Sequence, residues 1–295
     1  MRYAGELAAL ATAVCWTVSS LAFALAGVRV GSLAVNIIRL TLALEAFLIF
    51  GTFTSGEAVP LSASPTAWLW LSLSGLAGFF FGDLCLFRAF VEIGPRLSML
   101  IMALAPPLTA LLGWLTLGEK LTVLNLVGMA VTVVGVVWVV TETPEHGTPH
   151  KYSWRGGALA GGGCVGQAAG VVLAKPGLPG VTSPFAATEI RLLTGLACFL
   201  ILAAALGWFP QIARGWRDRR ALAQITIGAL TGPFLGVTLL LYAITRIPTG
   251  LAQTFVSLTP VLIIPFSAAI YHERVSWRAL AGAALAFSGI VLLFV

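Results

Sequence analysis

The sequence predicts an all-α integral membrane protein with ten transmembrane helices, arranged as two inverted five-helix repeats. Two observations carry this prediction: the apolar composition, and a repeat that divides the chain of 295 residues near its middle. Hydrophobic residues make up 59% of the chain and charged residues only 9%, whereas soluble domains carry about 25% charged residues. So few charges cannot cover the surface of a water-soluble fold of this size. The composition therefore excludes a cytosolic enzyme and makes the lipid bilayer the expected surroundings.

Ten apolar runs are long enough to cross a bilayer, which takes about 20 residues of helix. Backbone groups in lipid must be paired within their own segment, so each run is predicted to be a helix. The predicted spans are 5–26, 33–53, 67–90, 95–117, 122–140, 156–175, 185–206, 221–245, 249–270 and 277–295. One longer polar stretch separates the halves, which predicts a first repeat at 1–140, a linker at 141–154 and a second repeat at 155–295.

A shift of 154 residues aligns the two halves from the third predicted helix onward. The matched pairs include glycines, prolines and acids: Gly78 with Gly232, Gly82 with Gly236, Pro106 with Pro260, Glu119 with Glu273, Gly128 with Gly282, and Gly135 with Gly289. Shared apolar composition would explain matches between leucines and alanines, but it does not explain these. Because a repeat of five helices is odd, the second copy enters the membrane from the opposite face. Many secondary transporters are built in this way.

The matched positions also carry a resemblance to the EamA-type module of the drug/metabolite transporter superfamily. In the second half they are Tyr242-Ala243-Ile244, Pro260, Glu273-Arg274, Gly282 and Gly289, and in the first half Ala89, Pro106, Gly118-Glu119-Lys120, Gly128 and Gly135. The resemblance implies an inner-membrane carrier that exports small metabolites, with YddG-type amino-acid exporters as the nearest subtype. It also implies a central cavity surrounded by helices one, three, four, six, eight and nine. Arg88 departs from the module, which more often has an aromatic residue there, and this leaves specificity open.

Polar side chains within a span are costly to bury in lipid, so they are the first candidates for function. The predicted substrate-binding residues lie on the helices that surround the implied cavity: Trp16, Ser19, Met102, Gln167, Tyr242, Gln253 and Ser257. Hydrogen bonding between helices is the alternative role for their polar groups. Pro106 and Pro260 each remove a backbone hydrogen bond, so we expect them to kink helices four and nine beside the cavity.

Charged residues within the spans are few. Asp83 and Arg88 are candidates for handling substrate or protons, because both lie in helix three and neither has a charged counterpart in the second repeat. Arg39 and Arg191 occupy equivalent places in helices two and seven, and their presence in both repeats favours a role in the fold. Two further single acids lie in helices two and seven: Glu45 and Glu189.

The sequence shows no catalytic triad, metal-ligand spacing or phosphate-binding loop, and its four cysteines match no zinc or disulfide framework. We therefore predict no catalytic residue, metal or cofactor, and transport by a gradient or by facilitated diffusion. The leading hypothesis is a monomeric exporter of small metabolites, with amino acids as the first choice, that works by alternating access. No nucleic-acid partner is expected, because the basic residues form no broad face.

Three alternatives stay open. A cationic multidrug exporter is one, although the first helix lacks the acid that the small four-helix relatives use. A nucleotide-sugar carrier is the second, although no lysine pair stands in the helices to meet phosphates. A membrane enzyme or lipid scramblase is the third, and it would need a catalytic constellation or a polar groove open to lipid.

The orientation in the membrane is ambiguous. On the ten-helix prediction, the side that holds the N-terminus carries four basic residues and the other side carries ten. The positive-inside rule then places both termini outside the cell. The family resemblance instead implies termini in the cytoplasm.

Lys120 and Arg274 are equivalent in the repeat, so inverted topology predicts that they lie on opposite faces of the membrane. Each would be replaced by a single cysteine in a cysteine-free background and treated with an impermeant thiol reagent on sealed membranes. We expect the reagent to label only one of them from a given side, and the one labelled fixes the orientation. Labelling of both from the same side would contradict the ten-helix topology.

Overall fold

A computed structural model describes residues 3–142, 153–263 and 276–294, and within these ranges it is helical with no strand. The helices are α1 (Ala4–Val30), α2 (Ser32–Ser55), α3 (Pro65–Gly75), α4 (Asp83–Met102), α5 (Ala105–Leu117), α6 (Val123–Glu142), α7 (Trp154–Ala174), α8 (Pro184–Leu206), α9 (Phe209–Arg217), α10 (Arg219–Ala229), α11 (Val237–Ile244), α12 (Thr249–Val256) and α13 (Trp277–Leu293). In these ranges, eight helical stretches are long and apolar enough to span a membrane, and two shorter apolar ones, Thr249–Ile263 and Trp277–Leu293, bring the number to ten. The predicted fold class is confirmed.

Two π-helical segments mark the repeat in the backbone. Leu76–Gly82 joins α3 to α4, and Leu230–Gly236 joins α10 to α11. Their boundaries differ by the same 154 residues that align the sequences. Each π segment contains the paired glycines of its repeat. A π-helical turn inserts one residue into the helical ladder and is frequent at functional sites.

Equivalent helix breaks occur before the two aligned prolines. Helix α4 ends at Met102 and α12 ends at Val256, and each of these residues lies four positions before a proline, Pro106 or Pro260. A proline has no N–H to donate to the carbonyl four residues earlier, and its ring crowds that carbonyl. The chain turns at 103–104 and at 257–258 and then becomes helical again.

The backbone stays helical across the predicted boundary between helices three and four. We expected a connection at 91–94, before Pro95, and the two apolar stretches that could span a membrane, Pro65–Ala89 and Ser98–Leu117, are separated there. No loop forms at this place, because α4 runs without a break from Asp83 to Met102. A break in the helix occurs further on, at 103–104, shortly before Pro106.

The two repeats interleave and do not pack as two separate bodies. Helix α1 of the first repeat packs along α10, the second π segment and α11, while α7 of the second repeat packs along α3, the first π segment and α4. The pairs α2 with α8, α5 with α12, and α6 with α13 also join the two halves. The division at 141–154 is therefore a division of the sequence, and the core is built from both halves together.

Glycines allow α6 and α13 to touch along their backbones. A Cβ atom on Gly135 would lie 2.4 Å from the backbone nitrogen of Ala286, and one on Gly289 would lie 2.5 Å from that of Thr132. The Thr132 hydroxyl bonds across this contact to the Ala286 carbonyl at 3.4 Å. Close helix packing through small residues is typical of membrane proteins. It explains why these glycines recur in both repeats.

Charged residues hold helix ends together at both ends of the bundle. Glu119 accepts hydrogen bonds from the Thr249 backbone N–H at 2.9 Å and from its hydroxyl at 2.7 Å, and it pairs with Lys175. At the opposite end, Asp218 caps α10 and pairs with Arg29 at 2.9 Å. The Ala221 backbone N–H and the Arg29 guanidinium hold the pKa of Asp218 below its usual range.

Gly135→Leu should destabilise the protein, because the new side chain would collide with the backbone of α13. Overpacking of this kind typically costs about 1–3 kcal/mol. We expect a Tm lower by several degrees, measured by tryptophan fluorescence in detergent. Val134→Leu, at the neighbouring exposed position, is the matched control and should unfold like the parent protein. Equal behaviour of the two variants would contradict the close packing of α6 and α13.

Candidate functional site

A buried ion pair lies where α2, α4 and α7 meet. Arg39 of α2 is 2% exposed and Asp83 at the start of α4 is 6% exposed, and their side chains are in direct contact through Nη2 and Oδ2. Gln167 of α7 donates from Nε2 to the other carboxylate oxygen of Asp83 at 3.0 Å. The structure thus brings together Asp83 and Gln167, both singled out from the sequence, and adds Arg39.

Two small residues bring Asp83 and Gln167 together. A Cβ atom on Gly166 would lie 2.6 Å from the Cα of Gly82, so the backbones of α7 and the first π segment are in contact. Asp83 and Gln167 directly follow these two glycines in the chain. The glycines of the first π segment and of α7 therefore allow the hydrogen bond between Gln167 and Asp83 to form.

Arg39 is fully engaged by its surroundings. Its Nε donates to the Asn36 side-chain oxygen at 2.8 Å, one turn earlier in α2. Its guanidinium carbon lies 5.4 Å from the centre of the Phe23 ring and 5.3 Å from that of Phe87. A carboxylate, an amide and two aromatic rings together compensate for burying this charge.

Arg191 occupies the equivalent position in α8 and is not compensated in the same way. It is 5% exposed and lies within electrostatic range of Asp83. Its Nε and Nη1 have no hydrogen-bond partner among the residues that the structure describes. Val237 stands where the second repeat would need an acid equivalent to Asp83. Two buried arginines therefore share one aspartate, which leaves an excess of positive charge and unused donors.

The predicted substrate-binding residues on α1 lie against the second half of the protein. Ser19 is fully buried beside Gly232, and its hydroxyl has no partner within the described ranges. Trp16 is partly buried, and its indole nitrogen would lie 3.6 Å from a Cβ atom on Gly236. Tyr242, also partly buried, lies with its ring centre 5.4 Å from the Arg246 guanidinium carbon.

The candidates near the helix breaks differ in how free their polar groups are. Gln253 is 9% exposed, and its Oε1 has no partner in the described part of the chain. The Ser257 hydroxyl donates to the Thr254 carbonyl at 2.7 Å, so that donor is used within its own helix. Met102 is partly buried at the end of α4. Because α1 also packs against α12, Gln253 and the candidates of α1 lie on neighbouring helices.

Arg88 lies apart from Asp83. Its side chain is 59% exposed and pairs with Glu92 one turn later at 3.4 Å, and Glu92 also approaches Arg155 at 3.6 Å. The structure therefore does not bring the two coupling candidates of helix three together. Glu45 is exposed as well.

Sequence reasoning underestimated Arg39 and Arg191. Their occurrence in both repeats suggested a role in the fold, which is a fair description of Arg39. The signal that distinguishes Arg191 was already present, since the acid that faces Arg39 has no counterpart in the second repeat. Recognising it required knowledge of which helices meet at the centre.

Comparisons with known proteins agree with this architecture. The family model described as "EamA-like transporter family" matches residues 3–141 and 154–295. A protein of Saccharomyces cerevisiae, "Uncharacterized membrane protein YMR253C", is 35% identical over 80 residues, 27% of this chain; the chain covers 19% of that relative's length. A solved structure titled "Crystal structure of protein" shares the fold, with a TM-score of 0.76, 19% identity and coverage of 99% of this chain and 97% of the other.

Asp83→Asn should lower the thermal stability of the protein, because it leaves two buried arginines without an acid. Removing one partner of a buried ion pair typically costs about 3–5 kcal/mol. Adding Arg39→Gln to Asp83→Asn should cost less than the sum of the two single changes, measured as shifts in Tm. Arg88→Gln, which breaks an exposed pair, serves as the control and should cost about 0–1 kcal/mol. Strict additivity of the two buried changes would show that they do not interact.

Proposed function

The chain belongs to the EamA-like transporter family, and from this premise we propose that it exports small zwitterionic metabolites, amino acids first among them, across the inner membrane. As a family member, it is a multi-pass membrane protein that transports small solutes. The proposal adds the substrate class, the direction and a monomeric carrier that works by alternating access. The observation that carries it is the buried guanidinium of Arg191, two of whose donors have no partner among the residues that the structure describes.

The guanidinium of Arg191 is chemically suited to bind a carboxylate. A buried charge without a partner costs much free energy, and arginine presents its donors in a planar fork that matches a carboxylate in two places. In the described part of the chain, the acid whose charge reaches Arg191 is Asp83, and it is already bound by Arg39 and Gln167. A substrate carboxylate would therefore neutralise Arg191 and accept its hydrogen bonds, as Asp83 does for Arg39.

The same charge balance argues against a cationic exporter. Arg39, Arg191 and Asp83 together carry one net positive charge at this site, and a positive potential there would disfavour a cationic substrate. The side-chain oxygen of Gln253, which has no partner within the described ranges, can accept a hydrogen bond from an amino group. Trp16, Tyr242 and Met102 would supply the apolar surface that side chains of different shapes can contact.

The repeat supports alternating access as the mechanism. Each half contributes one helix that is broken at an equivalent place, before Pro106 or Pro260. The candidates Met102, Gln253 and Ser257 lie at or within one turn of these breaks. Two halves of opposite orientation can open one central site to either side in turn, as in other inverted-repeat transporters.

Arg191→Gln should raise the half-saturation concentration for an exported amino acid by about 10–150-fold, because a hydrogen bond to a charged group contributes about 1.5–3 kcal/mol. Transport would be measured in liposomes with labelled amino acids. Arg191→Lys, which keeps the charge, should recover part of the loss. The amine that lacks only the carboxylate of the substrate should be affected far less by Arg191→Gln.

Two controls make this result specific. Arg88→Gln removes an exposed guanidinium and should transport like the parent protein. Unfolding in detergent would show that Arg191→Gln is still folded. If the amino acid and its decarboxylated analogue lose affinity equally, Arg191 does not bind the carboxylate.

A further inference from the structure

A cavity of about 340 Å³ lies between α2 and α8, at the end of the bundle where α2 ends and α8 begins. Its rim is formed by polar residues at the end of α2 and before the start of α8, among them the exposed Ser55 and Thr182. Its walls are formed by the rings of Phe47, Phe50 and Phe185. The volume lies within the range of sites that hold small molecules.

A buried carboxylate lines this cavity. Glu189 is 4% exposed, and its Oε1 has no hydrogen-bond partner among the described residues. A second acid, Glu57, also lines the cavity and accepts a hydrogen bond from the Ser62 hydroxyl at 2.9 Å. Among the described residues, neither lysine nor arginine lines the cavity. This lining therefore holds two acids and no base, and one carboxyl oxygen of Glu189 meets no donor from it.

The fold does not require an acid at this position. The offset that places Arg191 on Arg39 places Glu189 on Ile37, which is buried in the equivalent part of α2. The first repeat therefore has the apolar Ile37 at the position where the second repeat has the carboxylate of Glu189. Burying a carboxylate instead of an isoleucine costs free energy unless a donor or a cation meets it. This asymmetry points to a ligand.

The aromatic rings around Glu189 are suited to a positive charge. Phe50 and Phe185 stack with their ring centres 4.3 Å apart, and Phe47 lies 6.2 Å from Phe185. Phe234 supports them from the second π segment, 4.6 Å from Phe47. Aromatic rings attract ammonium groups, and they also pack against hydrocarbon.

We propose that this cavity binds small organic ammonium ions, with the ammonium group against the Glu189 carboxylate and its apolar substituent against Phe47, Phe50 and Phe185. The site is separate from the one around Arg191. Residues two positions apart on a helix point about 200° apart, and the Arg191 guanidinium faces Phe79 at 5.3 Å. The proposal goes beyond export of zwitterions, because it assigns a cation site at the rim of the bundle.

The test measures binding without transport, so its result is independent of the proposed export. Thr182→Cys, at the exposed rim, would be introduced after the four native cysteines are replaced. The rate at which a maleimide modifies it in detergent reports whether the cavity is occupied. We expect phenethylammonium to slow modification, while 3-phenylpropionate, which has the same ring but the opposite charge, does not.

Two substitutions locate the bound group. Glu189→Gln keeps the size of the side chain and should weaken protection by phenethylammonium at least tenfold. Phe50→Leu should weaken it several-fold, because an aliphatic side chain offers no ring face. Equal protection by the two probes in the parent protein would overturn the proposal, even if Glu189→Gln does not fold. Protection that is unchanged in a folded Glu189→Gln protein would overturn it as well.

Discussion

The cost of burying charge in a lipid-embedded protein determines how the centre of this molecule is built. Arg39 can lie inside the bundle only because a carboxylate, an amide and two rings surround it. These groups come from α1, α2 and α4, and Asp83 is held in turn by Gln167 from α7. Four helices therefore meet at one charge. The glycines at the contact of α4 and α7 serve this arrangement by letting the two backbones touch.

Symmetry and asymmetry have different roles in the chain. The features that the repeats share, the π segments, the breaks before the prolines and the glycines of α6 and α13, determine packing and backbone geometry. The two buried acids Asp83 and Glu189 are not shared, since Asp83 aligns with Val237 and Glu189 with Ile37. The shared backbone features are sufficient to build two similar halves. The unshared buried acids give each half a charged group that the other half lacks.

Much of the fold could be predicted because lipid simplifies the problem. Apolar runs in lipid must be helices, the aligned Pro106 and Pro260 indicate helix breaks, and glycines in register indicate close contacts, so these features could be predicted from the sequence. The continuation of α4 past Pro95 could not be predicted in this way. It depends on whether the surrounding residues stabilise a helix that lacks one backbone hydrogen bond. The π segments are likewise invisible to hydrophobic periodicity.

The candidate site was harder to predict than the fold, for a physical reason. A polar residue in a helix is costly wherever it stands, so the sequence identifies candidates but does not say which of them are already satisfied. From the sequence, Gln167, Ser257 and Gln253 are equally good candidates. In the structure, Gln167 donates to Asp83 and the Ser257 hydroxyl donates to the Thr254 carbonyl of its own helix. Gln253 and Arg191 keep unused groups. Contacts between segments that are distant in the sequence decide which polar groups are already hydrogen-bonded, and the sequence alone does not give these contacts.

Interleaving of the repeats constrains the proposed alternating access. If the halves packed as two bodies, they could rock about the linker at 141–154, but here α1 lies along α10 and α11, and α7 lies along α3 and α4. A rigid movement of one sequence half would break all of these contacts at once. Movement at lower cost has to occur within helices that already lack continuous backbone bonding. The breaks at 103–104 and 257–258 are such places, and they lie beside Met102 and Gln253. The same prolines that interrupt the fold would then allow the central site to change the side on which it opens.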